Sequence, residues 1–418
     1  MRYLFTLIFF AFAISHLLGQ SIPVGKPAEN GMSAERLNRI DPWINELVAK
    51  KQIPGAVVLI LRNGKVILYK AYGYSDVEKQ TLMKKDDIFR MASQSKAITS
   101  LAVMMLYEEG KFMLDEPVSR YIPEFRNPKV LVNLNWKDTT YTTTPAKSEI
   151  TIRQLLTHTS GIDYAGIGSQ EFKAIYAKAG VPSGIGNDNM VLGDKMKILA
   201  GLPLKSNPGE QYTYSLSLDV LGYLVEVLSK MSLDQFFRER IFKPLGMNDT
   251  YFYMPKEKHS RLVGLYQVKN GVVEKILGPA FDGVNVNYPT LAGKYYSGGA
   301  GLSGSIEDYA KFLQLFINKG EFNGVRLLSR KTVELMMTNQ IQPPMTQQYG
   351  LGFGLETEKN DYQSISSIGS FRWGGAFNTQ YWGDSREKLV GLIYTNMLGT
   401  QVNTGELFKT FTYQAITD

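Results

Sequence analysis

The stretch PGAVVLILRNGKVILYKAYGYSD, residues 54–76, limits the possible folds more than any other. Two β-branched, apolar runs flank Asn63-Gly64, a pair suited to the left-handed backbone of a tight turn. The pattern predicts a hairpin. Near the other end, FRWGGAFNTQYWGDS and EKLVGLIYTNM read as paired strands turning near Gly383-Asp384, and LFKTFTYQAI reads as a closing helix. A hairpin near the start and strands near the end predict one sheet built from both chain ends, with the middle inserted between them.

Helical spacing supplies the rest. Residues 33–52 form an amphipathic pattern, and FRMASQSKAITSLAVMMLYEEGKF, residues 89–112, forms an apolar one. In the middle, KDTTYTTTPAKSEIT reads as a polar loop and TIRQLLTHTSGI as a short helix ending at Gly161. QEFKAIYAKAG and SLDVLGYLVEVLSK read as helices, the latter with Leu218, Leu221, Val225 and Leu228 on one side. SIEDYAKFLQLFINKG and SRKTVELMMTNQ are helical again. We place the sheet part at about 30–112 and 291–418 and a loop-rich helical insertion at about 113–290, within one domain covering 21–418.

The chain opens MRYLFTLIFFAFAISHLLGQS, one arginine followed by an apolar run from Tyr3 to Leu18 and then small or polar residues. That is the pattern of a secretory signal peptide over 1–20, and the run is short for a membrane span. An uncleaved anchor is the alternative. The expectation is export, to the periplasm or the medium, with no membrane span in the mature chain. There is no cysteine, which excludes disulfides, thiol catalysis and cysteine-ligated zinc. Loss of the leader leaves His158 and His259, so neither a His-rich metal site nor any other metal is expected, and no cofactor is implied. A net charge of +7 with basic and acidic residues interleaved lacks the clustered basic stripe of a nucleic-acid binder.

Two residues in the apolar helix pose the chemical question. Ser93 and Lys96 lie three apart at its start, on one helical face. Either the serine caps the helix and the lysine is solvated, or the pair is a nucleophile and the group that takes its proton. The pattern S-x-x-K is too common to decide; it recurs at Ser385…Lys388, in a charged turn. The mouth of an apolar helix, however, favours developing negative charge.

The order of other segments adds to this. SQSK is followed by LLTHTSGI, PGEQYTYSLSLDVLG, SGGAGLSGSIEDYAKFL and FRWGGAFNTQYW. Over roughly residues 33 to 400 the series resembles the serine β-lactamase and penicillin-binding-protein superfamily. The likeness is to the class C-like branch, which includes family VIII carboxylesterases and D-aminopeptidases. The resemblance implies an α/β (α+β) fold: an antiparallel sheet flanked by helices, with an inserted all-helical region. It maps the family's first motif onto Ser93 and Lys96, its second onto Tyr214 and its third onto Trp373-Gly374-Gly375.

For the site, the resemblance implies a catalytic set of Ser93, Lys96 and Tyr214. The backbone N–H groups of Ser93 and Ala376 form the oxyanion hole, and Trp373, Gly374, Gly375 and Leu216 contact the substrate. An amine and a phenol ordinarily hold their protons to about pH 10, so either serves as base only where its surroundings make release easier. His158 is expected to be structural, bonding the loop after its helix, and His259 to lie in a surface loop. Ser303 and Ser305 are expected to form a turn and a helix cap.

The departures bear on substrate. Family β-lactamases carry asparagine where Leu216 stands, and a lysine or histidine where Trp373 stands. An aromatic wall suits an uncharged ester better than a carboxylate-bearing antibiotic. Asn378, where the family has a small residue, is expected to narrow the pocket. The leading expectation is an exported carboxylesterase taking a small-molecule ester or amide. A β-lactamase or D-Ala-D-Ala carboxypeptidase is the alternative, and a non-catalytic ligand-binding protein on the same fold is the second.

Overall fold

A seven-stranded antiparallel sheet joins the two ends of the chain, in the order Gly354–Leu355, Phe371–Gly375, Thr379–Asp384, Leu389–Tyr394, Gly55–Arg62, Lys65–Asp76, Thr81–Leu82. The computed structural model describes residues 21–185, 189–280 and 283–418. The leader expected over 1–20 lies outside them. No helix among the described residues is long and apolar enough to cross a membrane.

The expected hairpin is present. Asn63 and Gly64 both take positive φ, at 53° and 73°, which matches the twist of the strands they join. Strand Gly55–Arg62 then pairs on its other side with the C-terminal strand, Val57 opposite Tyr394 and Leu59 opposite Leu392. Every residue of this strand is buried, because both of its faces are covered. Val57, Leu59 and Leu61 enter one core cluster with Ile98 and Leu101 of the helix Ser95–Glu108. Ala56, Val58 and Ile60 enter the other, with Ile40, Ile44 and Phe408 from the terminal helices Ile40–Ala49 and Thr404–Tyr413. The strand therefore reads as a continuous apolar run rather than an alternating one.

Helix Ser95–Glu108 is buried all round from Ser95 to Leu106, as a helix packed on several sides must be. On one side it meets the sheet, and on another the helix Ser217–Ser229, whose Leu218, Leu221 and Val225 belong to the same cluster. The core thus runs without a break from the sheet into the insertion.

Two expectations fail here. The middle of the chain is not all-helical: Lys129–Asn135 and Thr140–Pro145 form a hairpin where a polar loop was expected, and Tyr266–Lys269 pairs with Val272–Lys275. Only Leu134 is buried on that first hairpin, so no apolar alternation marks it, although threonine runs favour strands. The helix beginning TIRQLL spans Ile152–Leu156, started by a reciprocal Thr151–Gln154 capping box. It ends five residues before Gly161, and His158 then takes a left-handed backbone with φ 56°. The turn expected near Gly383-Asp384 is present: strand Thr379–Asp384 ends there and returns as Leu389–Tyr394, with Asp384 opposite Leu389.

The doubly covered strand yields a test. Leu59→Ala should lower unfolding free energy by about 2–5 kcal/mol, whereas Leu82→Ala, on the exposed edge strand at 65 % exposure, should stay within about 0.5 kcal/mol. Urea unfolding of both variants reads the difference, and equal losses would show that the strand is not the centre of the core.

Candidate active site

Ser93 sits one turn ahead of where its sequence pattern places it. After the short strand Phe89–Arg90, a 3₁₀ turn covers Ala92–Gln94 and the α-helix starts at Ser95. The residue at the helix N-cap is Gln94, without a side-chain cap bond, so Ser93 does not cap this helix. Ala92, just before it, is left-handed at φ 44°. That conformation is strained for a residue with a Cβ and needs support from its surroundings. Ser95 Oγ donates to the Ala92 carbonyl (2.7 Å) and accepts the Leu302 N–H (3.0 Å), and Tyr309 Oη donates to the Gln94 carbonyl (2.9 Å). Ser93 is left half-exposed while Ala92, Gln94 and Ser95 are buried.

Lys96 is 1 % exposed. Its Nζ donates to Ser93 Oγ at 3.3 Å and to the Gly299 carbonyl at 2.8 Å. The same ammonium lies over the rings of Tyr214 and Tyr164, 4.6 and 5.5 Å from their centroids, which is cation–π range. No carboxylate among the described residues forms an ion pair with it.

Tyr214 is half-buried in the loop before helix Ser217–Ser229. Its ring stacks on Tyr164 (5.8 Å between centroids) and touches His158 (4.7 Å) and Trp373 (5.7 Å). Its neighbours hold the loop in place. The Ser215 N–H donates to His158 Nδ1 (3.2 Å), and Ser215 Oγ, Ser217 Oγ and Ser160 Oγ form a chain at 2.8 Å spacings. Since Nδ1 accepts, His158 is a neutral imidazole with its proton on Nε2. Burial, with the Lys96 charge second, pushes its pKa well below the usual 6.5. The structural role expected of His158 is therefore directed at the Tyr214 loop.

The strand Phe371–Gly375 brings the third motif against this turn. A Cβ on Gly375 would fall 2.1 Å from the Met91 carbonyl oxygen, so only glycine lets the strand pass here. Thr379 Oγ1 also donates to that carbonyl (3.4 Å). The next residue, Ala376, is exposed. The segments carrying the Ser93 and Ala376 N–H groups are thus in contact. Gly374 lies on the same strand, and Trp373 meets Tyr349 edge-on at 5.3 Å.

Two expectations are corrected. Leu216 is 0 % exposed and part of the main core, so it presents no surface to a substrate. Asn378 does not narrow the pocket: it takes φ 55° in the turn after the strand, is 7 % exposed, and its amide donates to Thr395 and Thr404. Ser305 caps its helix as expected, accepting the Asp308 N–H, whereas Ser303 lies in the short strand Ser303–Gly304. His259 Nε2 pairs with the Met254 carbonyl. Sequence reasoning missed Tyr164 and Gly299. Nothing in SGIDYAG marks Tyr164, while the glycine pair in SGGAG was visible as part of an ordered segment without an assignable task.

The family model described as Beta-lactamase matches residues 40–408. The chain belongs to the β-lactamase family. The protein Rv1367c of Mycobacterium tuberculosis is 31 % identical over 369 residues, covering 84 % of this chain and 87 % of that one. Esterase EstB of Burkholderia gladioli is 29 % identical over 376 residues, covering 86 % and 90 %. Among solved structures, EstCE1, described as a hydrolase with promiscuous acyltransferase activity, superposes with a TM-score of 0.77 at 26 % identity, over 92 % of this chain and 99 % of that one. By family and by these esterase relatives, the chain is a serine hydrolase.

The neutral His158 carries a pH signature. The unfolded chain gains a proton at this histidine below about pH 6.5 that the folded chain refuses. The stability is therefore present above that pH and lost as the pH falls. Between pH 7.5 and 5.5 the wild type should lose up to roughly 1.4 kcal/mol more than His158→Asn, read by urea unfolding of both. Equal losses would mean that the folded protein accommodates the imidazolium.

Proposed function

We propose that the protein is an exported carboxylesterase that hydrolyses small, uncharged esters through an acyl-enzyme on Ser93. The observation that carries this reading is the juxtaposition of Ser93 Oγ, Lys96 Nζ at 3.3 Å and the Tyr214 ring above that ammonium, beside Trp373. The EstB and EstCE1 descriptions support the ester class, and the N-terminal leader pattern supports export.

The steps follow from the chemistry of the groups. Tyr214, as phenolate beside the Lys96 ammonium, takes the Ser93 hydroxyl proton while Oγ bonds to the ester carbonyl carbon. The carbonyl oxygen becomes an oxyanion facing the backbone N–H groups of Ser93 and Ala376, which stabilise it before any solvent can rearrange. Collapse breaks the bond to the alkoxide, and Tyr214 returns the proton to it, releasing an alcohol and leaving the acyl group on Ser93. Water then attacks, Tyr214 takes its proton, and the proton returns to Ser93 Oγ as the carboxylic acid departs. An alcohol in place of water gives acyl transfer by the same route.

Specificity rests on what faces the acyl group. Trp373 offers a large apolar face and a single N–H, and itself brings no charge to the position where family β-lactamases carry a lysine or histidine. The half-buried rings of Tyr214 and Trp373, backed by the buried Tyr164 and Tyr349, favour an uncharged acyl chain over a β-lactam or a D-Ala-D-Ala peptide.

A short-chain p-nitrophenyl ester and a chromogenic cephalosporin, assayed side by side, test this. The wild type should turn over the ester and cleave the cephalosporin poorly. Ser93→Ala should lose on the order of 10³-fold or more on the ester, and Tyr214→Phe about 10²–10⁴-fold in kcat with KM little changed. Fast cephalosporin cleavage would favour the β-lactamase alternative, and acylation without turnover would favour a ligand-binding role.

A further inference from the structure

Asp219 is the buried group that the site described so far leaves without a task. It lies in the first turn of helix Ser217–Ser229, where an acidic residue ordinarily complements the helix dipole at the surface. Here it is 0 % exposed and turned inward. The Ser297 hydroxyl donates to Oδ1 at 2.6 Å, while Oδ2 is buried with no side-chain partner, and the backbone N–H groups of Gly299 and of Asp219 itself face the carboxylate. On the other side of the same loop is Lys96, an ammonium as buried as the carboxylate.

Gly299 separates them. A Cβ on that glycine would lie 2.6 Å from Asp219 Oδ2 and 3.4 Å from Lys96 Nζ, so the two charged groups are no further apart than those distances together. A side chain at 299 would be driven between the charges. The loop is also held from the Ser93 helix, since Thr99 Oγ1 donates to the Gly298 carbonyl at 2.6 Å. The titratable groups around the pair are Tyr295, which faces Asp219, Tyr164 and Tyr214, which flank the ammonium, and the neutral His158.

We propose that Asp219 is a positioning residue for the acylation reaction: across Gly299 it supplies the counter-charge that keeps the Lys96 ammonium protonated and aimed at Ser93 and Tyr214. The consequence is a division of labour. Lys96 stays a cation through the cycle and stabilises the phenolate, so the proton from Ser93 goes to Tyr214. Burial pushes the Asp219 carboxyl up to about 6, opposed by the Ser297 hydroxyl and by the Lys96 charge, so above that pH the counter-charge is present and below it is withdrawn.

The proposal rests on the Ser93 acyl-enzyme reading, and its test separates the two. The pH dependence of kcat/KM on a p-nitrophenyl ester is measured for wild type, Asp219→Asn and Ser297→Ala. An ammonium that has lost its nearest opposite charge gives up its proton at lower pH. Asp219→Asn should therefore move the alkaline limb down by about one pH unit or more and lower kcat with KM little changed. Ser297→Ala removes the hydrogen bond but leaves the charge, and should leave that limb in place. A folded Asp219→Asn with the wild-type limb, or equal shifts in both variants, would overturn the proposal. If Asp219→Asn does not fold, or if no turnover depends on Ser93, wild-type protein carrying ¹³Cε-lysine is titrated by NMR, with the Lys96 signal assigned from its loss in Lys96→Met. A signal still that of an ammonium at pH 9 supports the counter-charge, and one already neutral there overturns it. Absence of Ser93-dependent turnover would sink the esterase reading alone.

Discussion

An ammonium group 1 % exposed is costly to bury unless its surroundings replace water, and the site is organised around that requirement at Lys96. No ion pair within 4 Å meets it among the described residues. The replacement comes from the Gly299 carbonyl, the Ser93 hydroxyl and the faces of two tyrosines. Each of these partners belongs to a different segment. The requirement therefore ties the Ser93 turn, the glycine loop, the Tyr214 loop and the segment after His158 to one point. The strand carrying Trp373 joins them through Tyr214 and through the contact of Gly375 with Met91.

The order of these partners also decides what the serine can do. A free hydroxyl is a weak nucleophile, and its proton must have somewhere to go. The Lys96 side chain is directed at Ser93 Oγ and at the face of the Tyr214 ring, so under the proposed mechanism a positive charge is in place before substrate arrives. Preorganisation of this kind costs nothing at the moment of reaction. The strain at Ala92, held by Ser95 and by the helix residue Tyr309, belongs to the same scheme, because it presents Ser93 outward from an otherwise buried turn.

Sequence reasoning reached the parts of this arrangement that are coded locally. The Asn63-Gly64 turn declares itself because its chemistry lies in two adjacent residues, and the sheet from both ends follows from strong apolar runs. The Ser93–Lys96 pair was legible as spacing, although spacing alone could not show that the turn is 3₁₀ or that the serine caps nothing. The hairpin Lys129–Asn135 with Thr140–Pro145 was missed because it buries almost nothing and so leaves no periodic trace. Leu216 was misread for the opposite reason: its place in a motif suggested contact with substrate, but at the N-terminus of a core helix an apolar residue is drawn inward. Tyr164, Gly299 and Asp219 act through partners fifty or more residues away. Asp219 in particular looks in sequence like any acidic residue in a first helical turn.

The central claim is that Ser93 is the residue that becomes acylated, and covalent trapping addresses it most directly. The purified protein is treated with a fluorophosphonate, which leaves a phosphonyl group only on an activated hydroxyl, and the modified peptide is located by mass spectrometry. The account predicts one equivalent of label, on the peptide containing Ser93, and none once Tyr214 is replaced by phenylalanine under the same brief exposure. Label on another serine, or no label on a folded protein, would contradict it.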